Sequence, residues 1–247
     1  MPLKQSEAFI LRTFPVGEQD KIVIFFTKER GIIKGIAKGA RKFGNRFGST
    51  LEPMSYVKIF YYEKERKDLV VVNKCDLLES FFELHKDLKT AFTLSYFSEI
   101  LEGFFPSRSK EDILFRLLRS LLTAFKQGGN VEILGAYFEA WVIKISGILP
   151  SFKSCKKCQK EIDSFGWLST KKDGIYCNGC ALQRKNKVGP EVRIFLKWVQ
   201  KNPPTVGEKS PLSFEQIVSI RKILQSIIIF HMEKKPKSLN YLNLGKK

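Results

Sequence analysis

Four cysteines carry the sharpest chemical signal in this sequence. Cys155-Lys156-Lys157-Cys158 and Cys177-Asn178-Gly179-Cys180 form two CxxC pairs with 18 residues between them. A CxxC turn presents two thiolates to one side, and two such turns complete a tetrahedral sulfur shell of the kind that holds one Zn²⁺ ion. All four positions are supplied by protein, leaving no open site for water, so the expected ion is structural and not catalytic. A redox CxxC needs a strand–helix–strand context that is not visible around either pair. Free or buried thiols without metal are the plainer alternative, and the zinc-ribbon spacing weighs against it. Phe165, Gly166, Trp167 and Leu168, between the pairs, read as a strand packing on the site. Cys75, the fifth cysteine, falls at the end of an expected strand and reads as packing.

The run from Lys38 through Gly39, Ala40, Arg41, Lys42, Phe43, Gly44, Asn45, Arg46 and Phe47 to Gly48 puts four cations, two aromatics and three glycines between two expected strands. On a small barrel such a loop is suited to gripping a phosphate backbone, with Phe43 or Phe47 stacking on bases. Gly39 and Gly44 have the glycine spacing of a P-loop. Asn45-Arg46 stands where Lys followed by Ser or Thr is required, which excludes that kind of nucleotide site. A solvated loop anchored to the barrel by its aromatics is the blander reading of the same residues. A third basic stretch, Arg221-Lys222 and then Lys234-Lys235-Pro236-Lys237, ends the last long helix, and a tail serving only solubility accounts for it equally well. The two histidines, His85 and His231, carry no assignment. No carboxylate pair, Ser-His-Asp order or Gly-Ser-Gly elbow stands out, so the chain is not expected to be an enzyme.

The remainder of the 247 residues must position these groups. With 43 Lys and Arg against 25 Asp and Glu, the formal net charge is +18, which points to a polyanionic partner, nucleic acid or an anionic membrane surface. Hydrophobic residues make up 43%, with 21 Phe, enough to bury a core and to exclude global disorder. The charge is uneven along the chain. Residues 1–80 are net +5, residues 81–152 neutral, residues 153–192 net +5 and residues 193–247 net +8. That distribution suggests a neutral helical scaffold holding two basic surfaces.

Ala8–Leu11, Ile22–Phe26, Ile32–Ala37, Tyr56–Tyr62 and Leu69–Val72 are short apolar or β-branched runs, divided by Pro15-Val16-Gly17-Glu18 and by the charged, hairpin-like link from Glu63 to Asp68. Gly35 inside the third run suggests a bulge or a sharp bend. Five short strands in about 80 residues fit a small closed barrel such as the OB-fold, and an SH3-like barrel fits nearly as well. After residue 80 the period becomes helical: Leu88, Phe92, Ser95, Tyr96 and Glu99; Ile113, Leu117, Leu118, Leu121 and Leu122; Leu134, Phe138, Trp141, Val142 and Ile145. Gly128-Gly129-Asn130 closes the second helix, Pro190 opens a fourth, and Ser213-Phe214-Glu215-Gln216 is a capping box opening a fifth that runs to about Met232. Lys201–Pro211 is the one loose segment. No apolar run approaches the roughly 18–20 residues of a membrane helix, and Glu7 interrupts any signal-peptide core, so a soluble cytoplasmic protein without membrane contact is expected.

Several of these stretches together resemble the RecO family of bacterial DNA repair proteins, over nearly the whole chain. Ala8 to Asp20 is similar to that family's first hairpin, and Phe26 to Gly31 to its second strand and turn. The most specific match is Lys38-Gly39-Ala40-Arg41 followed by Arg46-Phe47-Gly48 and Leu51-Glu52-Pro53. Phe138-Glu139 with Gly147-Ile148-Leu149-Pro150 resembles the entry to its cysteine module, and His231 to Ser238 its closing helix and basic end. Val16 stands where many relatives carry a larger residue, and some relatives lack the cysteines.

The resemblance implies an α+β chain: an N-terminal five-stranded OB-fold β-barrel for nucleic acid over 1–80, then an α-helical domain over 81–152 and 188–247 with a four-cysteine zinc module inserted at 153–187. It further implies a DNA repair and homologous recombination mediator of the RecF pathway. Such a protein binds single- and double-stranded DNA, anneals complementary strands and, with RecR and in some pathways RecF, helps load RecA onto DNA coated by single-stranded-DNA-binding protein. It docks that coating protein's acidic C-terminal tail, for which the neutral helical middle is the expected place, and it works in the cytoplasm at the nucleoid. Electrostatics nominates Lys38, Arg41, Lys42 and Arg46, with Phe43 and Phe47 as stacking residues and Arg12 and Lys34 nearby, as one DNA-binding surface. Lys153, Lys156, Lys157, Arg184, Lys185 and Lys187 form the second, around the zinc ligands. A zinc-ribbon and OB-fold RNA-binding or translation-associated factor is the alternative. A zinc hydrolase would need an open metal position.

Overall fold

Alternation of apolar and polar side chains builds the first 80 residues into strands, and the computed structural model describes residues 2–63, 68–204 and 210–242. Residues 64–67 of the expected link and 205–209 of the expected loose segment lie outside the described residues. The strands are β1 (Leu3–Val16), β2 (Asp20–Thr27), β3 (Gly31–Ala37), β4 (Tyr56–Tyr62) and β5 (Leu69–Glu79), closed in the order β1-β2-β3-β5-β4. β1 is long enough to pair with β4 through Leu3–Phe9 and with β2 through Ala8–Val16, and an irregularity in register between Ile10 and Arg12 lets it serve both. β3 and β5 run parallel. This parallel closure gives an OB-like barrel and decides against the SH3-like alternative.

Every second residue points into the barrel. Ala8, Ile10, Val23, Phe25, Ile33, Val57, Ile59, Val70 and Val72 form the core, with Cys75 beside them. Cys75 sits within β5 and not at its end, and burial pushes its thiol up to about 12, as expected of a packing residue. Gly35 is not a bulge: its pairing with Val23 and Val70 is regular. A Cβ there would come within 2.9 Å of both Val70 and Val72, so the barrel interior leaves room only for hydrogen.

Helix α1 (Leu88–Phe104) starts at Asp87, whose carboxylate accepts from Thr90 N at 2.8 Å. It is tied to the barrel where Ser98 Oγ donates to Leu11 O. Helix α2 (Asp112–Lys126) places Phe115 against Phe9, Phe26 and Tyr56. The chain forms two compact units, divided within α2: one runs to Arg119 and includes the segment from Lys237, the other spans Ser120–Pro236.

In the second unit α3 (Val131–Ile145) is capped by Asn130, α4 (Pro190–Lys201) opens on its proline, and α5 (Phe214–Met232) has the reciprocal capping box of Ser213 and Gln216. Glu132, Gly135 and Glu139 lie on the face of α3 toward α5. There Arg221 donates to Glu132 at 2.7 Å and to Glu139 at 3.1 Å, with all three side chains no more than 5% exposed. Gly135 lies under the guanidinium, and an added Cβ would collide with it. Strands β6 (Gly166–Leu168), β7 (Ile175–Tyr176) and β8 (Lys187–Val188) form a small sheet in the order β7-β6-β8. The short α6 (Leu239–Leu242) returns to the first unit. It stacks Tyr241 on Phe92 with centroids 5.0 Å apart, and the Glu99 carboxylate accepts from the backbone N–H of Lys237 and Ser238. Among the described residues no helix is long and apolar enough to cross a membrane.

One barrel contact makes stability sensitive to acid. Glu63 accepts from Arg30 at 2.6 Å, pairs with Lys4 and lies 3.3 Å from Arg108. The Arg30 and Lys4 hydrogen bonds hold its carboxyl at about 2, well below the ordinary carboxylate range. A depressed folded-state pKa contributes stability that is present above the unfolded value and lost as pH falls toward the folded one. The barrel is therefore expected to lose about 1–2 kcal/mol between pH ~4.5 and ~2, after allowance for solvent screening. Glu63→Gln should remove that component of the acid loss, and thermal melts from pH 7 to pH 2.5 that are parallel for the two proteins would exclude the mechanism.

Candidate nucleic-acid interface and metal centre

The two CxxC turns converge because Cys155 bridges to Ile175 on β7, two residues before Cys177. Lys156 N donates to Ile175 O at 2.8 Å, and Gln159 N closes the first turn on Cys155 O. Cys180 N and Ala181 N close the second on Cys177 O. All four sulfurs lie within 4.8 Å of one another, with Cys158 Sγ and Cys177 Sγ 3.8 Å apart. A tetrahedral shell with metal–sulfur distances of about 2.3 Å has sulfur–sulfur edges of about 3.8 Å, so the donor set fits a tetrahedral ion. Burial opposes ionisation of Cys155, but the backbone groups of Cys158, Cys177 and Lys157 hydrogen-bond its sulfur and bring the thiol down to about 6. The cluster can hold a metal ion.

The basic loop between β3 and β4 is an ordered structure. Asp20 Oδ1 accepts from Gly39 N at 2.7 Å, and Asn45 Oδ1 accepts from Phe47 N and Gly48 N. Lys38, Lys42, Phe43, Asn45 and Arg46 line one concavity of about 350 Å³. Arg41 is exposed but donates to Gly17 O, at the β1–β2 turn. Phe43 stands fully in solvent. Phe47 does not: it is 1% exposed and belongs to the barrel core, with Arg46 over its ring at 4.7 Å. The expectation that Phe47 stacks on bases is thereby corrected, because that ring is spent on the core.

Arg12 and Lys34 face a carboxylate. Burial raises the Glu102 carboxyl, and the charges of Arg12 and Lys34 oppose that rise; Arg12 lies 3.5 Å from it and over the Phe14 ring at 4.7 Å. Around the cysteines Lys153, Lys157, Lys185 and Lys187 are exposed, Arg184 donates to Asn178 O, and Lys156 is paired with Asp173. Gly166 and Leu168 are buried, while Trp167 between them is partly exposed. Lys58 and Lys74, absent from the expected interface, flank Phe60 on the outer barrel wall at 5.6 and 5.8 Å. The i, i+2 spacing of Lys58 and Phe60 on one strand is the signal that could have found them.

Residues 1–81 match the family model described as Recombination protein O N terminal, and residues 85–240 match Recombination protein O C terminal. The chain belongs to the RecO family. A protein described as DNA repair protein RecO from Koribacter versatilis is 32% identical over 94% of this chain and 95% of its own length. RecO proteins from Clostridium kluyveri and Dehalococcoides mccartyi are similar at 29% and 25% identity, over 96% and 97% of this chain and 92% and 94% of their own lengths. RecO membership agrees with the resemblance carried by the Lys38–Pro53 run, and sets the barrel and the cysteine cluster in a DNA repair and recombination family.

Proposed function

We propose that this chain is a recombination mediator that binds single- and double-stranded DNA, anneals complementary strands and, with RecR, helps load RecA onto DNA coated by single-stranded-DNA-binding protein. The observation that carries the reading is the cationic loop on a closed barrel, with Phe43 free to meet a base. Lys38, Lys42 and Arg46 neutralise phosphates there, with Arg41 beside them and Arg12 and Lys34 on the barrel wall. Lys153, Lys156, Lys157, Arg184, Lys185 and Lys187 form the second surface, with Lys156 also paired with Asp173. Two such surfaces hold two strands against their mutual repulsion, which is the obstacle to pairing, and no bond is made or broken. In functional terms the chain divides into the barrel (1–80), the helical parts (81–152 and 188–247) and the module (153–187).

The ion is one structural Zn²⁺, held by Cys155, Cys158, Cys177 and Cys180, which fixes the module's fold. We assign the acidic tail of the coating protein to a cavity beside α1. A cavity of about 380 Å³ there is lined by Leu11, Phe92 and Tyr241 together with Arg12, Lys237 and Glu99, whose carboxylate is taken up by the backbone N–H groups of Lys237 and Ser238. RecF and RecA are further partners, and the place of action is the cytoplasm, at the nucleoid.

Annealing of complementary oligonucleotides coated with the cognate single-stranded-DNA-binding protein tests the reading. Acceleration by this chain that disappears when the coating protein lacks its acidic tail is expected; no acceleration in either case would overturn it. Charge reversal at Arg41 and Lys42 should weaken single-strand binding and reduce the slope of log K against log salt by about 0.7 for each phosphate no longer neutralised. Unchanged affinity and slope would remove the loop from the interface.

A further inference from the structure

We propose that the outer face of the small sheet in the cysteine module is a stacking platform for unpaired bases of single-stranded DNA, with Trp167 as its central ring. The inference deepens the single-strand binding proposed above and rests on it. In the three-stranded order β7-β6-β8, Leu168 pairs with Ile175 and Gly166 with Val188, and these four residues are buried. Trp167 pairs with Tyr176 on one side and Lys187 on the other. Directly paired residues share a face, so Tyr176, Trp167 and Lys187 form one row on the side opposite the buried residues.

Phe165, two residues before Trp167, joins that face. Its ring meets Trp167 edge to face with centroids 5.9 Å apart, and Lys187 Nζ lies 4.1 Å from its centroid. Trp167 Nε1 donates to Asn178 Oδ1 at 3.4 Å, and Asn178 O accepts from Arg184. The indole's polar edge is thereby engaged within the module, and Lys187 adds a cation to the aromatic row. Phe165, Trp167 and Tyr176 are all partly exposed, although buried positions exist on the other face of the same strands.

Charge complementarity selects the occupant. Residues 153–192 carry nine Lys and Arg against four Asp and Glu, which suits a polyanion. Aromatic rings interleaved with cations match a strand whose phosphates and free base faces alternate. Bases inside a duplex are already stacked on one another, so this face favours the unpaired strand. Stacking is also indifferent to base identity, as annealing of arbitrary sequences requires.

The full-length, metal-loaded chain should be titrated with an oligothymidylate and with an abasic deoxyribose-phosphate oligomer of the same length and charge. Wild type is expected to bind the thymidylate more tightly and to show tryptophan quenching with it alone. Trp167→Ala should lose about tenfold or more toward thymidylate and keep its abasic affinity, while Trp167→Phe recovers most of the loss. Trp167→Phe, which retains Trp141 and Trp198, should lose the quenching. Metal content reports whether each variant has folded. If Trp167→Ala loses its metal, the quenching comparison of wild type with Trp167→Phe decides. Equal thymidylate affinity in wild type and Trp167→Ala, equal losses toward both oligomers, or unchanged quenching in Trp167→Phe would overturn the platform, and an acidic peptide or protein partner would then be the better occupant. If wild type binds neither oligomer, the single-strand reading falls together with the platform; if it binds thymidylate and only the Trp167 effects are missing, the platform alone falls.

Discussion

If the cysteine cluster holds the proposed structural ion, treating the full chain with a chelator is expected to abolish amide protection across Cys155–Val188 while leaving the barrel strands protected. The module has little else to hold it. Its strands are three, two and two residues long, and its buried apolar side chains are few, Ile162, Leu168, Ile175 and Val188 among them. Four thiolates brought within 4.8 Å of one another repel without a cation. Structural zinc in small domains contributes on the order of 10 kcal/mol of apparent free energy near neutral pH, and that energy is folding energy. Metal loss should also follow acidification, because protons compete for the same thiolates. Cys158→Ser is expected to reproduce the effect, since one hard oxygen replaces a sulfur donor. Hydrogen exchange with metal analysis on the same samples checks this, and a metal-free chain with full protection at Trp167 and Tyr176 would exclude a structural ion.

Replacing Arg221 by methionine should destabilise the α3–α5 pair by about 3–5 kcal/mol, the usual cost of leaving buried charge without its partner. Glu139 is fully buried and Glu132 nearly so; their oxygens accept from one guanidinium, with Gln225 adding a bond to Glu139 at 2.9 Å. Exchange protection of α3 and α5 against urea reads the loss directly. The comparison variant is Arg221→Met with Glu132→Leu and Glu139→Met, which removes all three charges and should recover most of the stability, because a buried ion cluster and well-packed apolar residues of similar volume are close in free energy. If the single and triple variants are equally unstable, volume and not charge is what the site requires.

Local features were readable in the chain. The CxxC turns, the capping box at Ser213 and Gln216 and the proline opening α4 each depend on contacts spanning four residues or fewer. Strands and helices were visible through their periods of 2 and 3.6, since burial of one face imposes the pattern. The shift from strand to helix near residue 80 was legible, but the compact unit continues to Arg119 because α1 and the start of α2 pack on the barrel through Ser98 and Phe115.

Other features depended on partners far along the chain. Phe43 and Phe47 look alike in sequence, yet one stands in solvent and the other fills the barrel, a difference set by where the loop crosses the core. Gly35 reads as a break and is a point of close approach to Val70 and Val72. Trp167 reads as part of a strand packing on the cysteine site, but register with Tyr176 and Lys187 turns it outward. Arg221 reads as part of a basic surface stretch and is instead a buried ion, its carboxylates 82 and 89 positions away.

Residue type and short spacing were enough to identify the cysteine cluster, the basic stretches, most of the helix boundaries and the family resemblance. Folding settled the rest: which barrel the strands close into, which aromatics stay available to a ligand and which cations are already paired. Those outcomes turn on strand register and on helix packing between distant segments. A shift of one residue in register reverses every side chain between core and solvent while leaving the local pattern unchanged.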